Sequence, residues 1–201
     1  DTFASAEAQI AAIADDIAYN NHDLHDGLRA GLFTVAEICE LPLVGPAFAA
    51  VDAAWPGLDA KRHRHEALRR VFGAMVEDVL VRSRQLLQEM NPASADEVRQ
   101  AGRPVVQFSP GMWEQLKEIR AFLFARMYRA PPVMATRERV TRVVEELFPA
   151  FLADPSLLPQ EWRDDVARAG DRTELARIVG DYIAGMTDRF ALETNRKMFG
   201  T

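Results

Sequence analysis

The sequence predicts an all-α protein, an irregular multi-helix domain, and three observations predict it. Apolar residues recur at helical spacing through several long segments. Most of those segments open on Ser, Thr or Asp and close on Pro, Gly or Asn, the residues that start and stop helices. The one stretch with strand character, Val105-Val106-Gln107-Phe108, has no partner strand in sight and reads as an extended connection.

Taken in order, Ser5 caps a helix from about Ala6 into Asn20-Asn21, and Leu24 to Leu32 continues it. Thr34 caps a short segment from Val35 to Glu40. Pro42, Gly45 and Pro46 make a loop, and Ala47 to Trp55 is a short apolar helix closed by Pro56-Gly57. Asp59 caps the longest helix, Ala60 to Met90, where Leu68, Val71, Phe72, Met75, Val79, Leu80, Leu86 and Leu87 keep the helical period; Asn91-Pro92 stops it. A short helix follows to Gln100. Gly111 to Tyr128 is strongly amphipathic, and Pro131-Pro132 separates it from Val133 to Leu152. Gln160 to Ala169 is short and polar. A last helix opens at Asp171 or Arg172 and runs to Gly200, with Asp181 and Asp188 seven apart on one face.

With 201 residues the chain is long enough for one domain with a substantial core, and residues 1–201 are expected to form a single α-helical domain. A net charge of −6 gives no global attraction to nucleic acid or to an anionic membrane. The single cysteine, Cys39, excludes an intramolecular disulfide and a Cys-based zinc site, and fits a reducing cytoplasm. No apolar run approaches the roughly 20 residues that span a bilayer.

The first helix carries the chemistry. Asp15, Tyr19 and Asp23 lie four residues apart, about 40° from one another around the axis. His22 and Asp26 fall on the same side, while Ile10, Ile13, Ile17, Leu24 and Leu28 fall roughly opposite. Acidic residues on an outer helix face are ordinarily just solvated. Here, though, Asn20-Asn21-His22-Asp23 is poor helix-forming material, and Asp15, Asp16, Asp23 and Asp26 have no Lys or Arg among them. Local cost without structural gain is where function tends to sit. A second feature is the basic run Lys61-Arg62-His63-Arg64-His65, with Arg69-Arg70 beyond; its plain explanation is a solvated helix start, its functional one a phosphate or subunit contact. His63 and His65, two apart, do not share a helix face.

The segment from Glu7 to Asp23, with its continuation Asp26-Gly27-Leu28-Arg29-Ala30-Gly31-Leu32, resembles a motif of the deoxyguanosine triphosphate triphosphohydrolase-like family, within the HD-domain phosphohydrolase superfamily. Asp181 to Ala191 and Phe124-Ala125-Arg126-Met127-Tyr128-Arg129 resemble further family segments, in family order. The resemblance implies the C-terminal part of an HD-domain phosphohydrolase-like fold. It implies hydrolysis of deoxynucleoside triphosphates to deoxynucleoside and triphosphate, with a divalent metal ion (Mg, Mn or similar). By the same resemblance Asp15 is one metal ligand, Tyr19 lies beside the substrate, Asp23 reads the 3′-hydroxyl of the deoxyribose, and Tyr128 packs near the sugar and helps exclude a 2′-hydroxyl. A cytoplasmic homo-oligomer is implied as well.

The other three ligands of the family's metal site, a His and a His-Asp pair, precede this motif in the family and find no match here. His22-Asp23 spells the pair, but adjacent helical residues point about 100° apart and Asp23 is assigned to the sugar. The chain is therefore expected to be the C-terminal part of a longer enzyme and to be inactive alone. The competing reading is a non-catalytic helical interaction or oligomerisation module. A carboxylate-bridged di-metal bundle would need Glu-x-x-His on paired helices, which the sequence lacks.

Overall fold

The computed structural model describes residues 2–200. Those residues form ten α-helices and no strand, and they group into two compact units, Asp1–Ala130 and Pro131–Thr201, each with its own buried cluster. In the first unit, α1 (Ala6–Arg29), α2 (Val35–Ile38), α3 (Val44–Ala54), α4 (Ala60–Met90), α5 (Ala95–Gln100) and α6 (Pro110–Leu123) enclose a core that includes Leu24, Ile38, Val44, Val51, Val71, Met75, Leu116 and Ile119. The second unit holds α7 (Pro131–Ala153), a single 3₁₀ turn, α8 (Gln160–Val166), α9 (Arg172–Ala184) and α10 (Asp188–Phe199).

The helix α1 is continuous through the Asn-Asn pair. Ser5 caps it, accepting from the Ala8 amide. Asn20 is only 3 % exposed, and its Nδ2 donates to the Asp16 carbonyl at 2.6 Å, so the low-propensity amide is satisfied inside the helix. Gly31, in the left-handed region at φ +69°, turns the chain out of the helix. Ile17, Leu24 and Leu28 are buried as the periodicity predicts. Ile10 is instead 55 % exposed and Ile13 half-buried; both border an apolar groove shared with Phe72, Val76 and Leu80 of α4.

Asp59 caps α4 by accepting from the Lys61 and Arg62 amides, and Asn91, at φ 43°, ends it. The extended connection 101–109 is fastened from α1. Gln9 Oε1 accepts from the Val105 and Val106 amides at 2.8 and 3.1 Å, while its Nε2 donates to the Ala4 carbonyl. Asp78 of α4 receives the Ser109 amide and hydroxyl at 2.8 and 2.6 Å, fixing the residue that caps α6. The last turn of the predicted 111–128 helix is wound as a π-helix over Phe124–Tyr128, a feature the apolar period did not signal.

The second unit packs α7, α8, α9 and α10 around Val143, Leu147, Phe151, Leu158, Val179 and Tyr182. The Tyr182 ring stands edge-on to Phe151 at 5.3 Å and meets Trp162 at 5.4 Å. The sequence predicts one helix from about 172 to 200; the structure breaks it at Gly185. Thr187 adopts an extended conformation and caps α10 by accepting from the Phe190 amide. Asp181 and Asp188 thus sit on two helices and do not share a face.

Candidate functional site

Asp23 and Tyr128, 105 residues apart in the chain, meet across α1 and the π-helical turn. The Tyr128 hydroxyl donates to Asp23 Oδ2. The Tyr19 ring, one turn before Asp23, lies 6.5 Å from the Tyr128 ring, tilted by 38°. Three of the four residues singled out by sequence therefore converge in one place. Tyr19 is 56 % exposed, so one wall of this corner is open. Burial, and then the hydrogen bonds to Asp23 and Tyr19, push the Tyr128 phenol well above its ordinary range. Tyr128 thus stays a hydrogen-bond donor, and Asp23 a charge-bearing acceptor with a second oxygen to offer.

The fourth residue, Asp15, lies one helical turn before Tyr19 on the same face and is exposed. No hydrogen bond or ion pair engages it among the described residues, so both oxygens are free to ligate. A carboxylate is a hard oxygen donor suited to a divalent cation such as Mg or Mn. It is one donor only: among the described residues no group of three or more His, Cys, Asp or Glu is placed to hold a metal ion. His22 is exposed beside this face.

Two supports of the site were not legible in sequence. Asp16 has a countercharge after all, Arg120 of α6, whose Nη2 lies 3.1 Å from its Oδ2. The Arg120 guanidinium also covers the Trp113 ring at 5.0 Å. The second support is Glu37 of α2. Its Oε2 accepts from the Thr34 amide and hydroxyl, and its Oε1 accepts from Arg126 within the π-helical turn that carries Tyr128. Those bonds hold the Glu37 carboxyl below its usual range, the Thr34 amide first among them. The Thr34-x-x-Glu37 spacing does announce a capping box, but nothing local announces a partner 89 residues away.

The basic run of α4 points in several directions. His63 Nε2 lies 2.8 Å from Asp52 Oδ1 on α3 and its ring stands edge-on to Phe48 at 5.3 Å. His65 faces the other way, its ring 4.9 Å from that of His25 on α1.

Known proteins resemble this chain. Residues 106–197 match the family model described as a phosphohydrolase-associated domain. A deoxyguanosinetriphosphate triphosphohydrolase-like protein of Cereibacter sphaeroides is 61 % identical over 99 % of the chain and 53 % of its own length. Proteins of the same description from Jannaschia sp. and Caulobacter vibrioides are 60 % and 49 % identical, over 99 % and 98 % of the chain and 50 % of their own lengths. The chain thus spans about half the length of the curated relatives it matches. No helix among the described residues is long and apolar enough to cross a membrane. With identity this high along nearly every residue, the chain belongs to the deoxyguanosinetriphosphate triphosphohydrolase-like family.

Proposed function

We propose that this chain forms the sugar-binding wall and one metal-ligand position of a deoxynucleoside triphosphate triphosphohydrolase. The observation that carries the reading is the convergence of Asp23, Tyr128 and Tyr19 one helical step from an unengaged Asp15. In this reading Asp23 accepts the 3′-hydroxyl of the deoxyribose on the oxygen that Tyr128 leaves open. Tyr128, held in place by that same carboxylate, presses on the sugar where a 2′-hydroxyl would stand. A site that pairs a buried acceptor with a substrate hydroxyl rejects analogues lacking it strongly. Tyr19 closes the pocket on its open side.

Asp15 supplies one carboxylate to a divalent ion whose remaining ligands lie in the half of the longer relatives that this chain does not match. Such an ion would polarise a phosphate and lower the pKa of a bound water. The same reading makes the assembled enzyme a cytoplasmic homo-oligomer and the 201-residue chain inactive alone.

The test is turnover of deoxyguanosine triphosphate by the intact protein, followed as triphosphate release. Asp15→Asn is expected to abolish release and divalent-ion binding with the helical circular-dichroism signal intact. Asp23→Asn is expected to raise KM and reduce the preference for deoxyribonucleotides over ribonucleotides. Full turnover in Asp15→Asn, or triphosphate release by the isolated chain, would overturn the reading.

A further inference from the structure

Tyr128 reaches Asp23 from an uncommon piece of backbone. The Arg129 amide donates to the Phe124 carbonyl at 3.2 Å, five residues back, the bond that defines a π-helical turn. Were Phe124–Tyr128 ordinary α-helix, Tyr128 would stand one turn beyond Phe124, about 40° round the axis from it. That line leads outward, because Phe124 is 51 % exposed. The wider turn takes Tyr128 off it, and the phenol is half-buried against α1 instead. Packing alone does not fix that turn. Leu123 before it is 1 % exposed and Ala130 after it 8 %, but none of the five residues of the turn is buried. The Arg129 guanidinium lies over the Phe124 ring at 4.7 Å, a contact that spans the turn internally. Polar ties reach out of it: the Tyr128 hydroxyl to Asp23 on α1, and the Arg126 guanidinium to Glu37 on α2.

Glu37 is a firm anchor for the second tie. Its Oε2 accepts from the Thr34 amide and hydroxyl at 2.7 and 2.8 Å, so the carboxylate is oriented by the cap, independently of Arg126. Ile38, the next residue, is fully buried and seats α2 on the core. An exposed ion pair between two free side chains stabilises little, because both must be ordered to make it. Here one partner is ordered already. Such a pair reaches the upper end of the exposed range, equivalent to about a fivefold bias between two arrangements of the turn.

We infer that Glu37 and Arg126 are positioning residues: their ion pair holds the π-helical turn in the register that aims Tyr128 at Asp23, and so sets how strictly the site excludes a 2′-hydroxyl. This role rests on the sugar-wall reading of Asp23 and Tyr128, and it gives control of that wall to two residues outside it. With the strap cut, the turn samples the α-helical register, Tyr128 swings toward the Phe124 line, and space opens where the phenol stood. The consequence has a definite sign. A ribonucleotide gains, because Tyr128 had refused it, while a deoxyribonucleotide has no hydroxyl to place in the added space. General loosening of the fold would instead slow both.

The test is a pair of measurements on the intact protein. Glu37→Gln removes the charge and keeps the cap, since glutamine serves at that position of a capping box; Arg126→Gln removes the charge on the other side. The NMR ring signals of Tyr128, assigned by their loss in Tyr128→Phe, are expected to shift in both variants, while those of Tyr182 stay in place. Triphosphate release is then compared for deoxyguanosine triphosphate and guanosine triphosphate. The deoxy-over-ribo ratio of kcat/KM is expected to fall about fivefold in each variant, chiefly through a rise for guanosine triphosphate. The double variant falls no further than either single one, and Arg126→Lys, which keeps the charge, retains the larger part of the ratio. Unmoved Tyr128 signals, an unchanged ratio in the two Gln variants, or a fall in which both substrates slow alike would each overturn the role of the strap. An unchanged ratio in Tyr128→Ala, or no release by the parent protein, would overturn the sugar-wall reading and the selectivity with it. Unmoved ring signals beside a lost ratio in Tyr128→Ala would overturn the strap alone.

Discussion

The hydroxyl of Tyr128 donates to Asp23 across 105 residues of sequence, tying the π-helical turn that follows α6 to the C-terminal part of α1. Because the acceptor is a carboxylate, the bond contributes more than a neutral one, on the order of 1.5–3 kcal/mol. Tyr128→Phe keeps the ring and loses the donor; Asp23→Asn keeps the shape and loses the charge. Each is expected to cost about 1 kcal/mol or more of unfolding free energy, and the double variant less than the sum of the two. Equilibrium denaturation of the three variants measures that coupling. Strict additivity would mean that the bond contributes nothing to the fold.

The same tyrosine sets an alkaline limit. Burial raises the pKa of Tyr128, helped by Asp23 and Tyr19, and burial raises that of Tyr182 with Glu161 nearby. A phenol raised in the folded state holds its proton while the unfolded chain loses it at about 10. The stability these groups contribute is therefore complete below about pH 10 and declines as pH rises from there toward their folded values. A spectrophotometric titration is expected to show Tyr128 and Tyr182 still protonated where an unperturbed phenol has ionised. Denaturant midpoints are expected to fall above about pH 10, and less steeply in Tyr128→Phe.

Much of this architecture can be read without coordinates, because its signals are local. Ser5, Thr34 and Asp59 cap the helices they precede, and the bounds of α4 follow from Asp59 and Asn91. The site was legible for a different reason: Asp15, Tyr19 and Asp23 belong to one helix face, and a family resemblance supplied Tyr128. What stayed hidden depends on distant partners. Asp16 looked like uncompensated charge until Arg120 was found beside it, and Glu37 looked like a mere cap until Arg126 met its second oxygen. The break at Gly185 was missed because the apolar stripe continues through it, while Thr187 starts a new helix. Periodicity also misjudged Ile10, Phe72 and Leu80, which keep the helical spacing yet remain 55 %, 39 % and 44 % exposed.

Gln9 is the clearest example of a residue whose importance only the fold reveals. It is 9 % exposed, and its amide satisfies the Val105 and Val106 N–H groups and the Ala4 carbonyl. Gln9→Ala strands two buried donors, each costing about 1–3 kcal/mol when unpaired. The expected loss is about 2–4 kcal/mol in unfolding free energy, with faster amide exchange at Val105 and Val106. A variant as stable as the parent would show that water reaches those amides.

Gly27 lies four residues after Asp23 on α1, and its place cannot be taken by alanine. A Cβ there would fall 2.2 and 2.3 Å from Cζ and Cε1 of Phe33. That ring is 4 % exposed and packs edge-on to Phe122 at 5.0 Å, so it has nowhere to retreat. Gly27→Ala gains helix propensity, about 1 kcal/mol, but overpacking costs on the order of 1–3 kcal/mol and forces α1 and α6 apart. The sign of the sum is a net loss, since the clash is with a closed ring system and not with a flexible tip. Spreading those helices also lengthens the Tyr128–Asp23 bond, so the variant is expected to titrate Tyr128 closer to the ordinary phenol range. Gly27→Ala combined with Phe33→Leu removes the clash and is expected to recover part of the stability together with the high pKa of Tyr128; recovery of neither would place the defect elsewhere in α1.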